Sequence, residues 1–461
     1  MKYLTILVIL IGASGAFAQA ERHTVSAWTK EIKAKDRPTR LVEDVLGFRP
    51  SNEAAALGRF GGLAGKTLKA SGFFRVERVG PRWWMIDPEG HPYFNIAATS
   101  VSVAQTSNTL STAFASRFKD EADWREQTIT LLRDHGFTAT GPWSNDSVLS
   151  ASPKRLPYAM NLNFMHAYGK SRGVTKMGSG HVNYANDCIL AFDAEFESFC
   201  DEHARTLAQT KDDPYLVGYF SDNEMPFKLN AFDLFLKLDD IKHAGRIAAE
   251  RLMTERHGAT WDAAAITDED RQAFMDRLAD RYFGCVAKAI RKHDPNHLYL
   301  GSRFYSTDRR NPALMRAAGR HVDVISYNLY GSWTPGEQVA QFAEWSGRPV
   351  IISEFYAKGE DSGMNNASGA GWTVATQDHR GQFYENYALS LIESRACVGW
   401  HWLRYIDNTS DDTKADASNR DSNKGLLNSR FEPYAPLLTR MQRLNRNAYA
   451  LAEHFDRQPQ Q

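Results

Sequence analysis

The chain has no net charge: 55 lysines and arginines stand against 55 aspartates and glutamates in 461 residues. Phosphate backbones are met by a basic excess, so a general nucleic-acid binder is excluded. Cysteine is scarce. Four thiols (Cys188, Cys200, Cys285 and Cys397) cannot staple a chain this long. Cys188 and Cys200 are close enough in sequence to bridge in an oxidising compartment, and buried free thiols are the equal alternative. No Cys-x-x-Cys or His-Glu-x-x-His pattern occurs, so neither a structural zinc nor a zincin site is expected. The absence of a Gly-x-Ser-x-Gly elbow leaves a serine hydrolase without an anchor. Gly61-Gly62-Leu63-Ala64-Gly65-Lys66-Thr67 approaches a phosphate loop, but Phe60 occupies the place of its first glycine. No cofactor and no metal are expected. No internal repeat is present, and beyond the N-terminus no run is apolar enough to span a bilayer.

That N-terminus has the layout of a secretory leader. Met1-Lys2 is basic, Leu4 to Ile11 is apolar, and Ala16-Phe17-Ala18 has the small-x-small form of a cleavage site. The apolar run falls short of the roughly 20 residues of a spanning helix. Residues 1–18 are therefore expected to be removed, after Ala18 or Ala20. The mature protein is expected to be exported, periplasmic or extracellular, with no membrane anchor.

Residues 19–72 are polar and read as an irregular extension with short helical patches such as Ser51 to Leu57. Residues 73–90 read as a hairpin, β-formers on both sides of Gly80-Pro81, closed by the Asp87-Pro88-Glu89-Gly90 turn. Eight short apolar runs follow: Tyr93–Ala98, Phe137–Thr140, Pro157–Asn163, Tyr215–Phe220, His297–Gly301, Val322–Tyr327, Pro349–Ser353 and Cys397–Trp402. Helical patterns separate them, including Asp193–Gln209, Gln377–Glu393 and Pro335–Trp345, the last with Thr334 as N-cap and Pro335 at the first helical position. Asn230 to Lys292 is long enough for two or more helices. The spacing predicts an α/β fold, a (β/α)8 TIM barrel over 91–455. The loop Met165–Ile189, after the third run, lies on the face where such barrels place their chemistry.

Two of the runs end in carboxylates. Gly218-Tyr219-Phe220 passes into Ser221-Asp222-Asn223-Glu224, and Val350-Ile351-Ile352-Ser353 ends in Glu354. Polar side chains that close buried barrel strands point to the active face. Two carboxylates across a barrel mouth suit glycoside hydrolysis, one to protonate the leaving oxygen and one to attack or to activate water. Aromatics make up 12% of the chain, with 11 tryptophans. Trp143, Tyr330, Trp333, Trp372, Trp400 and Trp402 fall at expected strand ends or in the loops after them, where rings can stack on sugar faces. Of these, Trp143, Trp333 and Trp372 are candidate substrate contacts, as is Asp222 in the polar cluster. His401 alternates with its tryptophan neighbours and is expected to point away from the barrel centre. Asp411, Asp412, Asp416 and Asp421 could bind Ca²⁺, but without EF-hand spacing they read as a solvated acidic loop.

An Asn-Glu pair ending the fourth run and a Glu ending the seventh resemble the clan A glycoside hydrolases, retaining (β/α)8 enzymes. That resemblance implies Glu224 as general acid/base, Glu354 as nucleophile and Asn223 as a partner of the sugar 2-hydroxyl. It also implies Trp402 as the floor under the reacting sugar. Asn328-Leu329-Tyr330 is similar to the clan's Asn-x-Tyr, which implies Tyr330, with Tyr327 as runner-up, as a partner of the nucleophile. Trp83 to Phe94, Gly218 to Glu224 and Gly399 to Asp407 resemble the corresponding stretches of β-agarases and their relatives. The resemblance implies hydrolysis of a β-linked galactose-containing polysaccharide or oligosaccharide. A glycosidase for another β-glycan such as mannan, or a non-catalytic carbohydrate-binding barrel, are the alternatives.

Overall fold

A computed structural model describes residues 23–458, apart from 54, 104–106 and 176–180. The expected leader and its cleavage site lie outside the described residues. The N-terminal extension begins as a hairpin of β1 (His23–Trp28) and β2 (Lys35–Thr39). A second hairpin, β3 (Arg75–Val79) and β4 (Arg82–Ile86), turns at Gly80 with φ +62° and adds β5 (Pro92–Tyr93). Glycine suits that left-handed turn because it lacks a Cβ.

Eight parallel strands then build the main sheet: β6 (Asn95–Ala98), β7 (Ala139–Thr140), β8 (Tyr158–Asn161), β9 (Leu216–Phe220), β10 (Leu298–Tyr299), β11 (Ile325–Asn328), β12 (Val350–Phe355) and β15 (Cys397–Trp402). They are the eight runs expected from sequence. Their order in the sheet is β10-β9-β8-β7-β6-β15-β12-β11. The sheet curls until its edges meet. Tyr299 O accepts from Asp323 N at 2.9 Å, and Phe304 bonds Ser326 O and Asn328 N at 2.9 and 2.8 Å. Between β12 and β15 lie β13 (Ala357–Gly359) and β14 (Trp372–Val374), which join β1 and β2 in a four-stranded sheet at the barrel's C-terminal mouth.

Strand burial explains the closure. Val217, Phe220, Leu298, Leu300, Val324, Ile351 and Val398 fill the interior, and Phe60, Phe74, Met85 and Tyr93 pack against them from the strands' starting end. The other strand faces pack on helices such as Gln377–Glu393 and Ala435–Asp456. Asn230–Lys292 holds three helices, the longest Asp268–His293, capped by Thr267 and Asp270 and carrying Arg291, Lys292 and His293 in its last turn.

Several expectations change. Ser51–Leu57 is not helical among its described residues; Leu57 instead bridges Leu63. The extension is not simply irregular, because Lys35–Thr39 pairs along β1. Pro335, not Thr334, occupies the cap position of the helix Gly336–Ser346. All four cysteines are free and buried, so Cys188 and Cys200 do not bridge. Among the described residues no helix is long and apolar enough to cross a membrane.

Candidate active site

The loops at the strands' C-terminal ends enclose a cavity of about 860 Å³. Glu224 follows β9, Tyr330 follows β11, and Glu354 lies near the end of β12; all three line it. The turn between β1 and β2, Thr29 to Ile32, closes part of its wall.

Glu354 is 5% exposed and has two strong donors, the Arg303 guanidinium on one oxygen and the Tyr330 hydroxyl on the other. Arg303 is itself fully buried, and its Nε donates to Asn223 Oδ1 at 2.8 Å. Burial pushes the Glu354 carboxyl above its ordinary range; Arg303 pulls it down, the Glu224 charge pushes it up again, and the Tyr330 bond favours the ionised form. Burial first, then the Glu354 charge, raises Tyr330 well above the usual phenol value, so it remains a donor.

Glu224 is held differently. Asn328 Nδ2 donates to its Oε1 at 2.8 Å, and His181 Nε2 lies 2.7 Å from its Oε2. Asn328 is fixed in turn by Ser353 Oγ, which donates to its Oδ1 at 2.7 Å. The bond to Glu224 raises the His181 pKa against the effect of burial. Glu224 and Arg303 both have positive φ, +54° and +51°, and the Glu224 amide donates to Arg303 O at 3.2 Å. Such backbone costs about 1–3 kcal/mol per residue and gathers at functional sites. One carboxylate is thus clamped by a cation and a phenol. The other sits at the cavity edge beside an imidazole. The pair is equipped for one group to attack while the other moves a proton.

Asn223, Tyr330 and Trp143 also line this cavity. Trp143 is 45% exposed, with the Arg303 guanidinium 4.5 Å from its ring centre. Tyr330 rather than Tyr327 bonds Glu354; the Tyr327 hydroxyl donates to Ser306 O. Four candidates stand elsewhere. Asp222 is fully buried and accepts from the Met165 and His166 amides and the Tyr282 hydroxyl, so it anchors the first turn of the helix Phe164–Ser171, which replaces the start of the loop expected over Met165–Ile189. Trp333 and Trp372 pack edge to face, their indole N–H groups donating to Thr39 Oγ1 and Ser332 O. They tie the mouth sheet to the barrel. Trp402 does not floor the cavity. It is buried against Phe355 and Tyr384 and donates to Lys424 O.

The reason is a register shift. Val350 pairs with Cys397 but Ile351 with Gly399, so Val398 is an extra residue and the faces exchange beyond it. Trp400 and Trp402 consequently turn outward, and His401 turns inward against Phe220, the reverse of the expectation. Burial holds the His401 pKa down at about 3, so it is neutral.

Sequence reasoning missed Arg303 and His181. Arg303 lies just past the fifth expected strand, His297–Gly301, where a polar residue after a strand end was the available signal. His181 lay in the long loop already marked for the active face, with nothing to single it out. In the acidic loop Asp412 and Asp416 accept from the nearby Ala415 and Ser418 amides, and Asp411 accepts from the amide and hydroxyl of Thr109. Among the described residues no group of three or more His, Cys, Asp or Glu side chains could hold a metal ion.

No family model matches the chain. It is similar to β-agarase B of Vibrio sp. (strain JT0107), 24% identical over 95% of this chain and 55% of that protein. It is also similar to β-agarase A of the same strain, 28% identical over 77% and 39%. The chain therefore spans about half the length, or less, of these relatives. Among solved structures, BpGH50 superposes with a TM-score of 0.84 at 29% identity, covering 95% of this chain and 96% of that one. The two named protein relatives are both β-agarases.

Proposed function

We propose that the protein is a retaining β-glycosidase that cleaves a β-linked galactose-containing polysaccharide or oligosaccharide by double displacement. The observation that carries this reading is the unlike treatment of two glutamates in one cavity. Glu354, gripped by Arg303 and Tyr330, attacks the anomeric carbon as the carboxylate. Glu224 gives its proton to the departing glycosidic oxygen, then takes one from the water that releases the glycosyl-enzyme. Asn223, its carbonyl held by Arg303 and Asn328, is the partner for the sugar 2-hydroxyl. Trp143 offers an exposed ring for the face of a pyranose. Galactose enters the reading from the similarity to β-agarases A and B.

The leader-like N-terminus supports export to the periplasm or medium, which N-terminal sequencing of the secreted protein tests. The activity is tested by reducing-end release from agarose, porphyran, carrageenan, β-galactan and β-mannan, with Glu354→Ala and Glu224→Ala as controls. Release from a galactan that both variants lose is expected. Activity on mannan alone, or on none of the five, contradicts the reading.

A further inference from the structure

Three cations lie buried beside the cavity: Lys358, Arg404 and Lys424, exposed by 3%, 9% and 1%. Among the described residues none of them forms an ion pair, although unpaired buried charge is costly. Two have structural work. Lys358 Nζ donates to Asn366 O and Ser368 O at 2.9 and 3.0 Å, and Lys424 Nζ to Ser418 O and Asn419 Oδ1 at 2.8 and 2.6 Å. Each holds a loop of the cavity mouth.

Arg404 has no such task. Its backbone is fixed, the amide donating to Lys424 O at 3.0 Å, yet among the described residues no nitrogen of its guanidinium meets an acceptor, and its Nε is wholly buried. Arg404 and Lys424 both line the cavity. The Lys424 ammonium stands 4.5 Å over the ring of Tyr356, which packs on Tyr330, the partner of Glu354. The two carboxylates whose charges reach Arg404, Asp407 and Asp412, have other donors, Asp412 accepting from the Ala415 amide at 3.0 Å. Asp407 accepts from the Lys424 and Gly425 amides, Asn423 and Tyr434.

We infer that Arg404, with Lys424 beside it, forms a subsite for an anionic substituent on the sugar, a sulfate ester or a carboxylate. A guanidinium presents paired N–H groups that match a planar or tetrahedral oxyanion, whereas one sugar hydroxyl satisfies only one of them. Burial, then the charge of Lys358, pushes Lys424 down to about 7, with Arg404 adding to that and Glu354 and Asp416 opposing. A bound anion offsets the mutual repulsion of all three cations. The inference rests on the glycosidase reading of the same cavity and narrows it to charged galactans.

The test is titration calorimetry on the full chain carrying Glu224→Gln, with and without Arg404→Met. The ligands are a neutral β-galactan oligosaccharide, its sulfated counterpart, a counterpart with a carboxylate in place of sulfate, and inorganic sulfate alone. The sulfated sugar should bind at least about tenfold more tightly than the neutral one. Arg404→Met should remove that advantage and leave neutral binding within about threefold. A gain shared by the carboxylate sugar means recognition of charge; a gain confined to sulfate identifies the ester. Equal affinity for neutral and sulfated sugars, or equal weakening of both by Arg404→Met, overturns the inference and leaves the glycosidase reading intact. If no sugar binds, the glycosidase reading fails. Inorganic sulfate then decides alone: saturable binding that needs Arg404 supports the subsite, and none overturns it. Should Arg404→Met not fold, Arg404→Lys is compared in its place, with partial loss of the sulfate preference expected and an unchanged preference contradicting the inference.

Discussion

Removing Arg303 should displace the acid limb of the pH–rate profile. In Arg303→Met the methionine fills much of the space, but Glu354 loses the only cationic hydrogen-bond partner it has among the described residues. A hydrogen bond to a charged group is worth about 1.5–3 kcal/mol, and about 1.4 kcal/mol corresponds to one pKa unit. Burial then raises Glu354 with less to oppose it, by roughly one to two further units. In the proposed mechanism Glu354 attacks as the carboxylate, so kcat/KM should fall steeply at acidic pH and recover as pH rises. Stability carries the opposite sign. A carboxyl whose folded pKa lies above its unfolded value favours folding when protonated, and this contribution is lost as pH rises from the unfolded value through the folded one. The variant should therefore lose more stability in urea at pH 8 than at pH 4. Reducing-end release between pH 4 and 9, with parallel urea melts, measures both. A uniform loss of activity with an unmoved acid limb would refute the role given to Arg303.

Tyr330→Phe removes one bond to the nucleophile and should lower kcat by roughly 10–100-fold with little change in KM, as steady-state kinetics will show. Trp143→Ala, at an exposed ring, should raise KM by about fivefold, near 1 kcal/mol of stacking, and leave the urea midpoint unchanged. Trp402→Ala should instead destabilise the fold by about 3–5 kcal/mol, because it empties packed space behind the barrel; an unchanged midpoint with lost turnover would return Trp402 to the sugar site.

The barrel was legible because parallel strands buried on both faces read as short apolar runs, and carboxylates placed directly after two of them, Glu224 and Glu354, stand out. Tyr330 was legible only through the resemblance of Asn328-Leu329-Tyr330 to the clan's Asn-x-Tyr. The faces of β15 were not. One extra residue at Val398 exchanges inside and outside, and nothing in Cys397–Trp402 announces it. The strand Lys35–Thr39 was equally hidden: its charged residues and proline disfavour a strand, and pairing with β1 imposes one. Asp222 looked functional by adjacency to Glu224, but the backbone turn that aims Glu224 at the cavity leaves Asp222 bound to Tyr282 and the first turn of the helix Phe164–Ser171. Arg303 and His181 join the site by long-range folding; Arg303 carried only the signal of a polar residue past a strand, and His181 sits in no local pattern that sequence alone distinguishes.

The division of labour between the two glutamates is tested most directly by azide rescue on an activated aryl β-galactoside, with the product anomer read by NMR. If Glu354 is the nucleophile as proposed, azide should enter its space in Glu354→Ala and give the inverted α-glycosyl azide. Glu224→Ala still forms the glycosyl-enzyme, since an activated leaving group needs no proton, and azide should intercept it to give the retained β-glycosyl azide. The same anomer from both variants, or full activity in either without azide, would contradict the account.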